Sequence, residues 1–102
     1  MMKKFAELEY EVLDWAQERG LLDESNSGKQ LLKTVSEVGE LADAFIKVDE
    51  DNIKEELGDV LVCLIIFANQ LGLDPTDCLT IAYNKISGRK GKTVGGVFIK
   101  DE

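Results

Sequence analysis

The chain has 102 residues, a formal net charge of −8 and no histidine. That length suits a single domain spanning residues 1–102, because two domains would each be too small to bury a stable core unaided. Without histidine the chain cannot build Ser-His-Asp or Cys-His nucleophile systems, histidine-ligated zinc sites or a Glu-x-x-His di-iron bundle. The chemistry left to it uses carboxylates, amines, hydroxyls and metals bound by oxygen.

The periodicity is helical almost throughout. A first segment, from about Lys3 to Arg19, places Phe5, Leu8, Val12, Leu13, Trp15 and Ala16 near one face, and Gly20 stops it. Residues 20–28 read as a polar loop with Asp23, Ser25, Asn26 and Ser27 in turn or cap roles. A second segment, from about Lys29 to Ile46, carries Leu31, Leu32, Val35, Val38, Leu41, Ala42 and Phe45 at i, i+3, i+4, i+7 spacing. An acidic turn follows, in which Asp51 is expected to cap a third segment from about Asn52 to Leu71.

The second half of that third segment, Val60 to Ala68, is apolar on every side. Such a helix must be covered on every side, and a bundle of this length covers about two faces. The remaining face predicts burial against a second subunit, in a homodimer or homotetramer. Gly72 stops the segment, and Asp74-Pro75 reads as the cap and first residue of a fourth helix ending near Gly88. Thr93 to Ile99 then forms either a small hairpin turned at Gly95-Gly96 or an arm that packs on a partner. The expected fold is all-α: an antiparallel bundle of about four helices with a short extended arm or hairpin, completed by oligomerisation.

Charge is unevenly spread. Residues 85–100 hold Lys85, Arg89, Lys90, Lys92 and Lys100 and no acid, a local +5, so the rest of the chain carries −13. A strongly acidic body is repelled by nucleic-acid polymers and anionic membranes. Met1-Met2-Lys3-Lys4 resembles the start of a signal peptide, but Glu7, Glu9 and Glu11 leave no apolar stretch behind it. The longest apolar run is about half of what crosses a bilayer. Cys63 and Cys78 lack a close C-x-x-C spacing, which fits reduced thiols in the cytoplasm.

Two stretches repeat one pattern. Glu37-Val38-Gly39-Glu40 is matched by Glu56-Leu57-Gly58-Asp59. Acids at i and i+3 share a helix face about 4.5 Å apart along the axis. The short turn between the two helices makes them antiparallel, which brings the pairs to similar height. Four facing carboxylates repel unless protonated or bridged by cations. Oxygen-only ligands select hard ions, Mg²⁺ or Mn²⁺. A mid-helix glycine costs about 1 kcal/mol relative to alanine, so Gly39 and Gly58 suggest either close helix approach or room for a ligand. The plain alternative is solvated surface charge, as expected of Glu7, Glu9, Glu11, Asp14 and Glu18.

The paired motif resembles the MazG-type nucleotide pyrophosphohydrolases of the all-α NTP pyrophosphatase superfamily, particularly a short phage-like branch. Trp15-Ala16 with Arg19, Gln30-Leu31-Leu32-Lys33, Glu37 to Leu41, Glu55 to Val60, Asn84-Lys85-Ile86 and Arg89 to Lys92 extend the resemblance over nearly the whole chain. It implies cleavage of nucleoside triphosphates between the α- and β-phosphates, with Mg²⁺ as cofactor and Mn²⁺ able to substitute. It also implies Glu37, Glu40, Glu56 and Asp59 as metal ligands, with Glu37 and Glu40 in catalytic roles. Lys85, Arg89 and Lys92 would neutralise phosphates, Asn84 would contact sugar or base, and Lys33 would reach a phosphate or a carboxylate. Trp15 would stack on a base, although a lone helical aromatic is more often core. Many members carry a glutamate where this chain has Ser36, which leaves the role of base to another carboxylate or to a metal-activated water. Two other readings keep the same residues: the same fold acting on dUTP, dCTP or phosphoribosyl-ATP, and a non-catalytic dimerisation or regulatory module with a structural metal.

Overall fold

The computed structural model describes residues 2–102; Met1, the first residue of the signal-like start, lies outside them. Four helices and a hairpin follow one another: α1 (Phe5–Glu18), α2 (Ser27–Ile46), α3 (Glu50–Gln70), α4 (Pro75–Ser87), β1 (Gly91–Val94) and β2 (Val97–Lys100). The all-α expectation holds, and the tail resolves as a hairpin. β1 and β2 pair antiparallel, with Gly91 opposite Lys100 and Val94 opposite Val97. Both turn residues, Gly95 and Gly96, have positive φ (57° and 81°), the pair of left-handed conformations that a two-residue hairpin turn requires.

Cap chemistry sets the helix ends. The Asp74 carboxylate accepts from Thr76 N at 2.8 Å with Pro75 at the first helical position, as expected. The cap of α3 differs from expectation: it is Asp49, which accepts from Asn52 N at 3.2 Å, and Asp51 lies inside the helix. Val48 takes φ 54° just beyond α2, so the chain re-enters a helix two residues earlier than the acidic turn suggested. The loop after α1 contains a single 3₁₀ turn, Glu24–Asn26, begun by Asp23 accepting from Ser25 N.

α2 and α3 form the main antiparallel contact, and α1 packs on α3. The small core is built from Ala16, Ala44, Val60, Cys63, Ile65 and Ile66. Two side-chain amides tie the elements: Gln30 donates to the Cys63 carbonyl at 3.1 Å, and buried Gln70 donates to the Leu21 carbonyl at 2.7 Å.

The face that α2 gives to α3 is not the apolar one. Ser27, Gln30, Thr34, Glu37, Leu41 and Ala44 are its buried or half-buried positions, spaced as one helical stripe. Of the apolar stripe read from the sequence, only Leu41 lies in this face; Leu31, Leu32, Val35, Val38, Ala42 and Phe45 are exposed. No residue of α4 is buried, and every strand position of the hairpin is exposed. The radius of gyration is 16.2 Å, where a compact domain of this length has about 13 Å. Among the described residues, no single helix is long and apolar enough to cross a membrane.

Candidate metal centre between α2 and α3

The antiparallel pairing of α2 and α3 brings three of the four predicted acids together. One carboxylate oxygen from each of Glu37, Glu56 and Asp59 lies within 4.8 Å of the others. Glu37 belongs to the buried stripe of α2 and its side chain is only 13% exposed. Glu56 and Asp59 are half-buried on α3. Glu40 stands outside this triad and is exposed, yet its charge still reaches Glu56.

The electrostatics are those of a crowded anionic site. The Glu56 pKa is pushed up to about 7, first by desolvation, then by the charges of Glu40, Asp59 and Glu37. Lys33 supplies the compensating cation: its ammonium lies 3.3 Å from Glu37 Oε1, and the contact raises the Lys33 pKa. The Cys63 thiol sits one turn beyond Asp59, and burial, followed by the Glu37 charge, raises its pKa.

Two carboxylate oxygens remain unmatched. Glu37 Oε2 and Glu56 Oε2 are buried and have no hydrogen-bond partner among the described residues. A buried polar atom without a partner costs free energy comparable to a lost hydrogen bond, and a divalent cation would satisfy both. The donor set contains only oxygen, so it fits a hard ion. The residues present therefore fit a bound Mg²⁺ or Mn²⁺, with Glu37, Glu56 and Asp59 holding it and Glu40 at the rim.

Gly39 and Gly58 do not mark close helix approach. A Cβ built at either would meet nothing within 4 Å, which corrects that expectation and leaves open space beside the acids.

The remaining predicted residues lie elsewhere. Trp15 is on α1, where the Arg19 guanidinium covers its ring at 4.4 Å and donates to the Trp15 carbonyl at 3.1 Å. With Leu8, Val12 and Val62 it lines an apolar depression. Asn84 and Lys85 on α4, Arg89 in the link after it and Lys92 on β1 are exposed, and none of the three cations has an acidic partner among the described residues.

Sequence reasoning missed the support beneath the acids. Gln30 anchors α2 to the Cys63 carbonyl, and buried Thr34 donates to the Gln30 carbonyl at 2.9 Å. Their signal was the second stripe of α2, Gln30-Thr34-Glu37-Leu41-Ala44, which runs beside the more conspicuous apolar one.

A protein described as uncharacterized, of 18.2 kDa and from the rep-hol intergenic region of Haemophilus phage HP1 (strain HP1c1), is 38% identical to this chain over 60 residues. The match covers 59% of this chain and 37% of that protein, so the chain spans little over a third of its curated relative. No solved structure matches the chain. Residues 26–94 match the model of the MazG nucleotide pyrophosphohydrolase domain, a segment holding all four acids, Lys33 and the start of the basic tail. The chain belongs to the MazG nucleotide pyrophosphohydrolase family.

Proposed function

We propose that this protein is a Mg²⁺-dependent nucleoside triphosphate pyrophosphohydrolase. It cleaves a (d)NTP between the α- and β-phosphates to give the (d)NMP and pyrophosphate, and so clears surplus or non-standard nucleotides. The observation that carries this reading is the triad itself: three converging carboxylates, two of them with a buried oxygen that no protein donor meets.

Glu37, Glu56 and Asp59 would hold the cation, with Mn²⁺ as substitute. When bound, the ion supplies charge neutralisation and Lewis-acid polarisation at a phosphate. Lys33 holds Glu37 in place through its 3.3 Å contact. Glu40, exposed and one turn from Glu37, would orient the attacking water and take its proton, the role that a glutamate in place of Ser36 would otherwise share. Lys85, Arg89 and Lys92 neutralise the charge that develops on the leaving pyrophosphate. Asn84 contacts the sugar, and Trp15 offers an aromatic face to the base. The two free thiols suit a reducing cytoplasm.

The test is direct. The protein is incubated with Mg²⁺ and a panel of dNTPs, dUTP and dCTP included, and released pyrophosphate is measured against orthophosphate. Pyrophosphate in step with the monophosphate is expected. Orthophosphate alone would overturn α–β cleavage.

A further inference from the structure

Glu37 and Glu56 face each other between two ties that join α2 to α3. Seven residues toward the turn, the Asp49 N–H donates to the Ala44 carbonyl at 3.2 Å. Seven residues the other way, the Gln30 amide donates to the Cys63 carbonyl at 3.1 Å. Seven residues are two helical turns, about 10.5 Å, and they return to the same face of each helix. The acids therefore sit midway inside a bracket.

The seam they share is weak. Of the α2 positions turned to α3, only Leu41 and Ala44 are apolar, while Ser27, Gln30, Thr34 and Glu37 are polar. At its centre, carboxylate oxygens of Glu37, Glu56 and Asp59 come within 4.8 Å of one another, and like charges at that range repel. The repulsion pushes the helices apart where the site must stay closed.

Neighbouring polar groups do not oppose it. Lys33 meets Glu37 along α2 itself. Thr34, buried between Gln30 and Glu37, turns its hydroxyl back to the Gln30 carbonyl at 2.9 Å. Gln70 ties α3 to the chain after α1 and not to α2. Apart from what the acids make with one another, Gln30 supplies the one side-chain hydrogen bond between α2 and α3 among the described residues.

The structure assigns Gln30 as a positioning residue. Its amide clamps the α2–α3 pair at the end away from the turn and holds Glu37 against Glu56 and Asp59, close enough for one cation to bridge them. It acts through the acids rather than on the ion. That the site takes a cation rests on the metal-centre reading; that Gln30 holds the acids together does not. The Cys63 carbonyl keeps its partner in the α3 ladder when the amide is lost, so removing the clamp strands no buried carbonyl. Gln70 is the contrasting case, because its loss strands the Leu21 carbonyl.

The experiment compares Gln30→Met with Gln70→Met in the full chain. Each nearly keeps the side-chain volume and deletes one amide-to-carbonyl hydrogen bond. Mg²⁺ affinity is read by calorimetry and Mn²⁺ affinity by loss of the free-ion paramagnetic resonance signal, both without nucleotide, beside the metal-free Tm. Gln30→Met is expected to weaken both ions roughly tenfold, the scale for outer partners of metal sites, with the smaller loss of Tm. Gln70→Met is expected to lower Tm more and to leave both affinities unchanged. Unchanged affinity in Gln30→Met overturns the assignment. So does an equal loss of affinity in both variants, which marks a general loosening of the fold.

A second readout needs no metal. Nuclear Overhauser contacts between the side-chain methylenes of Glu37 and Glu56 are expected in wild type and in Gln70→Met, and are expected to weaken in Gln30→Met. Contacts of equal strength in all three proteins overturn the clamp, and so does their absence from wild type. If wild type binds neither ion, the metal-centre reading fails, and these contacts alone decide the role of Gln30.

Discussion

Glu37 on α2 and Glu56 on α3 each bury a carboxylate oxygen that finds no hydrogen-bond donor among the described residues. The two are held at similar height by the antiparallel pairing, and the Glu37 charge helps to raise the Glu56 pKa. Without a cation the pair is a source of instability. With one it becomes the centre of the site.

That relationship sets a pH dependence. The Glu56 pKa rises from 4.5 to about 7 on folding, so between these values the folded state binds more protons than the unfolded state. Stability of the metal-free protein therefore falls as pH rises from about 4.5 to about 7. Added Mg²⁺ should reverse the trend, and its binding should release a proton near pH 7. Thermal melts across this range with and without Mg²⁺, and calorimetry in buffers of different ionisation enthalpy, check both.

Substitutions separate holding the ion from using it. Asp59→Asn should lose both turnover and the Mg²⁺-induced rise in Tm, with activity down by at least the roughly 10–100-fold seen for outer partners of metal sites. Glu40→Gln, outside the triad, should lose turnover while keeping the Mg²⁺-induced rise in Tm. Neither variant should unfold the protein. Unchanged activity in both would contradict the assignment.

Open space beside Gly39 and Gly58 gives a second stability test. Alanine at either position meets no atom within 4 Å and adds helix propensity, so each substitution should stabilise the metal-free protein by about 0.5–1 kcal/mol. If the space admits nucleotide, KM rises in the same variants. Denaturant titration and steady-state kinetics read the two effects.

The Gln70 amide is a buried tie between α3 and the chain after α1. Gln70→Ala strands the Leu21 carbonyl and should cost about 1–3 kcal/mol, measured as a fall in denaturant midpoint with an unchanged slope.

Much of the architecture was legible in local pattern. Asp74-Pro75 announced the start of α4, Gly95-Gly96 the hairpin turn, and the mirrored acids the cluster of Glu37, Glu56 and Asp59. These are short-range signals, because caps and turns depend on a few neighbouring dihedrals and hydrogen bonds. The cap of α3 moved from Asp51 to Asp49 because the left-handed Val48 closed the turn sooner, a choice that composition does not encode.

The sequence by itself determined the helical class, the hairpin option and an oxygen-only ligand set, since the spacing of residue types and the lack of histidine are properties of the chain alone. Only the tertiary structure decided which stripe of α2 faces α3. It is the polar one carrying Thr34 and Glu37, which leaves Leu31, Val35 and Phe45 outside. It also decided that Glu40 stands outside the cluster of Glu37, Glu56 and Asp59 and that α4 and the hairpin stay exposed. The physical reason is that periodicity reports a helix's faces without saying what each one meets. That depends on contacts made between helices.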